Sequence, residues 1–426
     1  MRKTLQEIFR AHFEQYAQGR TLHAREWRAA NAIMSCHSAA LGGHVLSCEQ
    51  GHYSRVQYNA CRHRSCPRCA ERPRQQWLLQ QLPRLLACEH FHVVFTLAHE
   101  FMALWEHNRA WMNRLLFDCA RMSLLELCAD ERHLGAKPGI LMSLHSWGRT
   151  LSKHPHVHCL VSAGGMAPDG QWRASRAGYL VPVKALSALY RGKLLHALRQ
   201  ALREHKLTLP AQHDAAYWER CIKAQYRCHW NVQIGEPYAH GRGVALYLAR
   251  YVKGGPLGKE RALYVSDNRV SFSYTDHRDH RAKSLALAPE HFIARVLWHA
   301  PPRGQHLVRH CGLYATGARG HHRHCMRQLL PPPMPRLQPT LAAHLAASAP
   351  SCKVCEGPLR RTLSLLPTHR AGEYSIGKHR AAQRLGPTSA HPHPQCGPTP
   401  SSSGQTPAGH SLALRRRSLR RRLPLN

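Results

Sequence analysis

Acidic side chains are scarce in this chain of 426 residues, where 24 Asp and Glu stand against 60 Lys and Arg and give a formal net charge of +36 at pH 7. A surplus of this size attracts polyanions, so nucleic acid is the expected partner and a small acidic substrate is a poor second. Scarce carboxylates also disfavour a metal site built from paired Asp and Glu, because no acidic residue flanks the histidine-rich segment near residue 156.

Long apolar runs are also missing, and none approaches the roughly 18 uncharged apolar residues of a membrane span. The basic start Met1-Arg2-Lys3 is not followed by the apolar core of a secretory signal. We therefore expect a cytoplasmic protein. In that reducing compartment the closely spaced members of its 16 cysteines indicate metal binding more often than disulfides.

No internal repeat and no regular alternation of strands and helices is present, so an α+β fold with a mainly antiparallel sheet fits better than a doubly wound fold. Apolar periodicity predicts one or two helices in residues 1–35 and further helices at 104–132, 186–205 and 243–253. Runs of β-branched and aromatic residues predict strands at 90–97, 140–147, 154–161 and 230–234. The second and third of these strands have the spacing of an antiparallel hairpin.

Composition divides the chain into three parts. Residues 1–89 are helical and cysteine-rich, residues 90–330 hold the mixed strands and helices, and residues 331–426 are rich in Pro, Arg and His. The last part cannot bury enough apolar surface to fold, so it is predicted to be a disordered tail that carries one isolated pair, Cys352 and Cys355. Its basic end contains the candidate DNA-binding residues Arg415, Arg416 and Arg417.

The cysteines of the first part have zinc-site spacing. Cys66-Pro-Arg-Cys69 is a knuckle whose two thiolates can bind one ion, and the candidate ligands of a structural zinc are Cys48, His52, Cys61, Cys66 and Cys69, with Cys36 and His44 nearby. A second knuckle would begin at Cys48, but Gly51 stands where its other cysteine is expected, so Cys61 or His52 must replace that ligand. Incidental buried thiols are the alternative, and the isolated pair at 352 and 355 is a weaker candidate site.

The segment His154-Pro-His156-Val-His158 places three imidazoles on one face of a strand. They could bind a metal ion or form a solvated polar face. Residues 159–161 are apolar and continue the same strand into the interior. A buried strand holds its side chains rigidly, which favours metal binding by the histidines.

Tyr247 and Tyr251 are four residues apart and share one helix face. A phenol can attack a phosphorus centre when a metal ion polarises the phosphate, although an aromatic core stripe is the commoner meaning of such a pair. Arg250 and Lys253 beside them would suit a phosphate backbone but are also ordinary helix residues.

Together these features resemble a known family. Phe95-Thr96-Leu97, His156-Val157-His158 and Tyr247-x3-Tyr251 look like the three motifs of rolling-circle, His-hydrophobic-His endonucleases. More narrowly, the sequence resembles the two-tyrosine transposases of the insertion sequence ninety-one family. This resemblance rests on ALGGH (40–44), CRHRSCPRC (61–69), LHSWGRTLSKHPHVHCLV (144–161), VPVKALSALYRGKLL (181–195), YLARYVKGGP (247–256) and RHCGLYA (309–315).

The resemblance implies an N-terminal zinc-binding domain, and it implies that residues 90–330 form an antiparallel-sheet nuclease domain. His156 and His158 would bind Mg²⁺ or Mn²⁺, with a third ligand from His145 on the neighbouring strand or from His154. Tyr247 and Tyr251 would be the nucleophiles that leave a 5′-phosphotyrosine and a free 3′-hydroxyl. The implied activity is rolling-circle-like transposition through single-stranded DNA ends and target, in a bacterial cytoplasm and in association with the nucleoid.

Two other readings compete with this one. A plasmid replication initiator or relaxase would share the chemistry, but not the CRHRSCPRC and VPVKALSALYRGK segments. A zinc-dependent DNA-binding regulator would need only the charge and the cysteines. A transposase that uses clustered carboxylates is disfavoured by the scarcity of acidic residues.

Overall fold

The secondary structure comes from a computed structural model that describes residues 1–239, 243, 255–258, 261–276, 279–329 and 350–368. The helices are α1 (Leu5–Ala17), α2 (Ala24–Ser35), α3 (Pro67–Gln81), α4 (Met102–His107), α5 (Arg109–Ala129), α6 (Val183–Arg203), α7 (Ala215–Gln225), α8 (Pro289–Leu297) and α9 (Arg319–Gln328). The strands are β1 (Arg2–Lys3), β2 (Gly43–Ser47), β3 (Ser54–Tyr58), β4 (His90–Thr96), β5 (Lys137–Trp147), β6 (Lys153–Met166), β7 (Trp172–Ala174), β8 (Val232–Ile234), β9 (Leu263–Ser266), β10 (Arg269–Thr275), β11 (Ala282–Leu287), β12 (Val308–Gly312) and β13 (Arg360–Leu365).

A six-stranded antiparallel sheet positions the histidines. Its strand order is β12-β5-β6-β4-β8, and β7 pairs with the end of β6. The predicted hairpin is confirmed, because β5 and β6 are adjacent antiparallel partners with His145 directly opposite His156. The expected mixed fold with antiparallel sheets is likewise confirmed.

The two faces of this sheet differ because successive side chains of a strand point to opposite sides. One face packs into the main apolar core with α5, α6 and α7 and contributes residues such as Val93, Ile140 and Val157. Residues one position along from these, including His92 and His156, belong to the opposite face. The pleat therefore gathers polar side chains from neighbouring strands on one surface.

The predicted helix at 104–132 is two helices that meet at Asn108. The Asn108 side-chain amide donates to the carbonyl oxygens of Leu104 at 2.9 Å and Thr208 at 2.8 Å, and its oxygen accepts from the Thr208 backbone N–H at 2.9 Å. An asparagine that bonds to backbone groups in this way competes with helix continuation. The predicted helix at 243–253 lies outside the described residues, apart from Gly243.

The N-terminal helices share a second core with residues far along the chain. Phe9 and Phe13 of α1 lie in one apolar cluster with Phe272 of β10 and Phe292 of α8. The apolar stripe of an amphipathic helix needs a partner surface, and here a four-stranded sheet of order β1-β9-β10-β11 helps to provide it. Packing thus crosses the boundary that composition places after residue 89.

A three-stranded sheet of order β13-β2-β3 completes the N-terminal cysteine region. Composition assigns residues 331–426 to a disordered tail, but Arg360–Leu365 form a strand paired with β2, with Ser47 opposite Arg360. The tail prediction was therefore wrong for residues 350–368. Residues 350–368 fold because Leu359 and Cys352 are buried against Leu46 and Cys48. The amino-acid composition averaged over residues 331–426 does not reveal this short apolar contact.

Among the described helices, none combines the length and apolar character that crossing a bilayer requires.

Candidate active site and metal centres

Three histidines meet on the polar face of the central sheet. His145 of β5 and His156 of β6 are paired across the hairpin, and His158 lies two positions further along β6. Their nearest ring nitrogens lie within 4.8 Å of one another, and the Nε2 atoms of His156 and His158 are 3.0 Å apart. One cation can contact all three. His154, the alternative third ligand, is exposed and is not part of this group.

Burial keeps two of these three imidazoles neutral. His145, His156 and His158 are 7%, 8% and 6% exposed. Desolvation lowers the pKa of His156 to about 3 and lowers the pKa of His158 well below its ordinary value. Neutral rings have the lone pairs that a metal ion needs at physiological pH.

Neighbouring groups orient the rings. His156 Nδ1 is 2.6 Å from the His154 carbonyl oxygen, so Nδ1–H donates to it and Nε2 presents a lone pair. His158 Nδ1 is 2.9 Å from Nε2 of His92 on β4, and the His145 ring stacks on Trp147 with centroids 4.4 Å apart. Burial lowers the pKa of His92 to about 4. His92 was not predicted as part of this site. Its position in strand β4 puts it on the same face as His158 only once β4 is paired with β6.

The donor set bears on the identity of the ion. Three imidazoles suit a divalent transition metal better than Mg²⁺, which prefers oxygen ligands and retains water. Of the two ions implied by the family resemblance, Mn²⁺ therefore fits these residues better.

The other residues predicted to act in catalysis and DNA contact lie outside the described residues: Tyr247, Tyr251, Arg250, Lys253, Arg415, Arg416 and Arg417.

Four cysteines form a first zinc-type cluster. Cys36 is the C-cap residue of α2, Cys61 lies in the loop between β3 and α3, and Cys66 and Cys69 lie at the start of α3, with all four sulfurs within 4.8 Å of one another. Cys36 Sγ is 3.3 Å and Cys61 Sγ is 3.5 Å from Cys69 Sγ. A hydrogen bond from the Cys61 thiol, assisted by backbone N–H groups, lowers the pKa of Cys66 toward the thiolate form that binds metal. Four thiolates in a closed group are typical of structural zinc.

The remaining predicted zinc ligands belong to a second cluster. Cys48 and His52 lie with Cys352 and Cys355, again with ligand atoms within 4.8 Å of one another. The single site expected from the sequence is thus divided into two groups. Cys352 and Cys355 supply the ligands that are missing at Gly51. No local spacing in the sequence indicates that this pair and Cys48 belong to one site.

A further buried histidine, His299, supports the hairpin of β5 and β6, which carries His145, His156 and His158. His299 Nε2 is 3.1 Å from the Leu151 carbonyl oxygen, its Nδ1 is 3.2 Å from Ser146 Oγ, and burial lowers its pKa to about 4. The unfolded chain takes up a proton near pH 6.5, whereas the folded chain does so only near pH 4, so stability is lost as the pH falls between these values.

Between pH 4 and pH 6.5, the free energy of unfolding should rise less steeply with pH in His299→Gln than in the wild type. The expected difference in slope is about 1.4 kcal/mol per pH unit. Denaturant unfolding at several pH values measures the slope, and the exposed His196→Gln controls for loss of an imidazole. An identical slope in His299→Gln and the wild type would contradict this assignment.

Comparisons with known proteins identify the family of the chain. A family model described as "Putative transposase" matches residues 139–322, which include all three clustered histidines, and one described as "Transposase zinc-binding domain" matches residues 8–97. Cys352 and Cys355 lie outside both matches.

Two curated proteins are similar over most of their length. "Putative transposase y4qJ" of Sinorhizobium fredii is 38% identical over 313 residues, which is 72% of this chain and 79% of the relative. "Transposase for insertion sequence element IS801" of Pseudomonas savastanoi pv. phaseolicola is 29% identical over 341 residues, which is 78% of this chain and 82% of the relative. No solved structure matches the chain significantly. The chain therefore belongs to the insertion sequence ninety-one family of transposases, enzymes that cut and join DNA, and carries that family's zinc-binding domain.

Proposed function

We propose that this transposase cuts and rejoins single DNA strands at the His145, His156 and His158 centre, with Tyr247 and Tyr251 as nucleophiles. The observation that carries the proposal is the group of three buried and oriented imidazoles on adjacent antiparallel strands, of which His156 and His158 are held neutral by desolvation. This group supports a His-hydrophobic-His nuclease domain, which would serve rolling-circle-like movement of an insertion sequence.

In this proposal His145, His156 and His158 hold a divalent cation, whose chemistry when bound is to polarise the scissile phosphate. A tyrosine hydroxyl loses its proton and attacks phosphorus, the new tyrosyl O–P bond forms, and the bond from phosphorus to the 3′ oxygen breaks. The 3′ oxygen leaves and takes up a proton. The phosphotyrosine retains the energy of the broken bond, so a 3′-hydroxyl can later be joined without ATP.

His92 has a positioning role. Its Nε2 lies 2.9 Å from His158 Nδ1, which holds the His158 ring with Nε2 toward His156. A partner on the outer nitrogen fixes both tautomer and ring angle, and losing such a partner typically costs 10- to 100-fold in metal affinity or activity.

The DNA partner is proposed to be single-stranded transposon ends and target. Arg250 and Lys253 would contact the backbone beside the tyrosines, and the basic run Arg415–Arg417 would add sequence-independent affinity. The zinc-binding domain would help to recognise the ends. Such a protein would act in the bacterial cytoplasm, in association with the nucleoid.

Covalent chemistry distinguishes this proposal from a zinc-dependent regulator. We expect wild-type protein to form a denaturation-resistant adduct with a labelled single-stranded end in the presence of Mn²⁺, and Tyr247→Phe/Tyr251→Phe to form none, because only the hydroxyls are removed. Gel mobility after denaturation measures the adduct, and mass spectrometry identifies the modified residue. Each single variant should retain one adduct and fail to complete strand transfer.

The matched control is Tyr264→Phe, at a tyrosine that is 49% exposed on β9. It should form as much adduct as the wild type. A double variant that still forms a covalent 5′ adduct would place the nucleophile elsewhere. A replication initiator or relaxase would instead show strand cleavage without activity on the element's own ends.

A further inference from the structure

Two short loops from opposite parts of the chain meet at one end of the β13-β2-β3 sheet. Cys48 and His52 belong to the turn between β2 and β3, while Cys352 and Cys355 precede β13. Cys48 Sγ lies 3.5 Å from Cys355 Sγ across a separation of 307 residues. Because β2 and β13 are paired, with Ser47 opposite Arg360, the two loops face each other.

Backbone hydrogen bonds shape each loop around its cysteine. In the first, the Cys48 N–H donates to the Tyr53 carbonyl at 2.8 Å and the Gly51 N–H donates to the Cys48 carbonyl at 3.0 Å. Gly51 has φ of +75°, a left-handed conformation that glycine adopts without strain.

The second loop is closed in the same manner. The Cys352 N–H donates to the Gly357 carbonyl at 2.8 Å, and the Glu356 N–H donates to the Cys352 carbonyl at 3.0 Å. The Val354 N–H points at Cys352 Sγ, with N and S 3.4 Å apart. Backbone N–H groups directed at a cysteine sulfur stabilise a thiolate, the form that binds metal.

The spacing of the sulfurs fits a shared metal ion. A disulfide would bring two sulfurs to about 2.05 Å, and the cysteines of this cluster are free thiols. Two thiolates bound to one tetrahedral zinc at about 2.3 Å each would lie roughly 3.8 Å apart. The observed 3.5 Å between Cys48 and Cys355 is close to the second arrangement.

Among the described residues, this sheet has a small apolar core. Its buried cluster consists of Leu46, Cys48, Cys352 and Leu359, with Tyr53 packed against it. All but the last residue of β13 are exposed. A sheet with so small a core commonly depends on a metal ion or a disulfide for its stability.

We propose that Cys48, His52, Cys352 and Cys355 bind a second zinc ion, separate from the ion of Cys36, Cys61, Cys66 and Cys69, and that this ion clasps residues 350–368 to the N-terminal domain. The zinc-binding family model, which matches residues 8–97, contains only half of the ligand set. The inference does not depend on the cleavage mechanism.

Zinc content tests the clasp. Full-length protein purified without chelator is compared by elemental analysis with Cys352→Ser/Cys355→Ser, which is expected to contain one zinc ion per chain fewer than the wild type. The matched control is Cys228→Ser, at an exposed cysteine outside both clusters, which should contain as much zinc as the wild type. Equal zinc content in the double variant and the wild type would overturn the proposal.

A second measurement uses only wild-type protein and so does not depend on how the variant folds. His52 and Cys355 are exposed, so a chromogenic chelator should remove the clasp ion first. Hydrogen exchange should then accelerate at residues 360–365 while β5 and β6 remain protected. Release of the first zinc equivalent with unchanged protection of residues 360–365 would refute the clasp.

Discussion

Changing His158 to Ala is expected to lower the rate of metal-dependent strand cleavage at least ~10³-fold, a loss of about 4 kcal/mol of transition-state stabilisation. The reason is that His158 is central to the site, where it approaches His156 on one nitrogen and His92 on the other. Non-specific DNA affinity rests on Lys and Arg contacts with phosphates and should change little. Single-turnover cleavage of a labelled strand, beside a binding titration, measures the two properties separately.

A histidine that does not itself bind the metal should matter less than His158. His92→Ala should lower the cleavage rate about 10- to 100-fold, because His92 acts through His158. A higher metal concentration should restore part of this activity. His92→Gln, which keeps a side-chain polar partner, should recover more activity than Ala. His196→Ala, on an exposed face of α6, is the control. Cleavage at the wild-type rate by His158→Ala would remove the histidine cluster from the mechanism.

Changing Cys66 to Ala is expected to unfold the N-terminal domain at temperatures where the central sheet stays folded. Structural zinc contributes roughly 10–16 kcal/mol of apparent binding free energy in small zinc modules, which exceeds the whole stability of most such domains. Cys66 is also the N-cap residue of α3 but makes no side-chain capping hydrogen bond, so the change removes a metal ligand and no cap interaction. Thermal unfolding with zinc analysis should show loss of one ion and an added low-temperature transition.

That transition should include α1 and α2. Cys36, Cys66 and Cys69 lie in the same apolar cluster as Phe9 and Phe13, so loss of the ion loosens the core around these helices as well. Cys228→Ala is the control for removal of a thiol. A Cys66→Ala protein that lacks one zinc but melts like the wild type would show that this ion does not hold the domain together.

Local patterns in the sequence narrowed the site to histidines on two neighbouring strands. Alternation along residues 154–161 placed His154, His156 and His158 on one face, and the hairpin spacing made His145 an alternative to His154 as the third ligand. The register of β5 and β6 puts His145 opposite His156. Both arguments need only the two-residue period of a strand and a short connection. His92 was missed because the pairing of β4 with β6 depends on a connection that no short-range pattern specifies.

The grouping of the zinc ligands, in contrast, could not be predicted from local patterns alone. Cys66 and Cys69 are recognisable from their knuckle, whereas the division of ligands between two clusters depends on β13 pairing with β2. Nothing near Cys352 indicates a partner at Cys48. The break at Asn108 is a further example, since it depends on hydrogen bonds to Thr208, one hundred residues away.

The pairing of β13 with β2 also has a consequence for the order of events during synthesis. Closing a loop of this length is only slightly costlier than closing a shorter one, since each doubling adds about 0.6 kcal/mol. Time is the larger constraint, because a ribosome adding about 5–20 residues per second needs roughly 15–60 s to pass from residue 52 to residue 355. During this time Cys36, Cys61, Cys66 and Cys69 of the nascent chain can bind zinc. The edge of β2 that pairs with β13 has no partner until β13 has been synthesised. A message truncated before codon 352 would therefore yield a chain with one complete zinc ligand set and one open strand edge, a form suited to aggregation and removal by proteases.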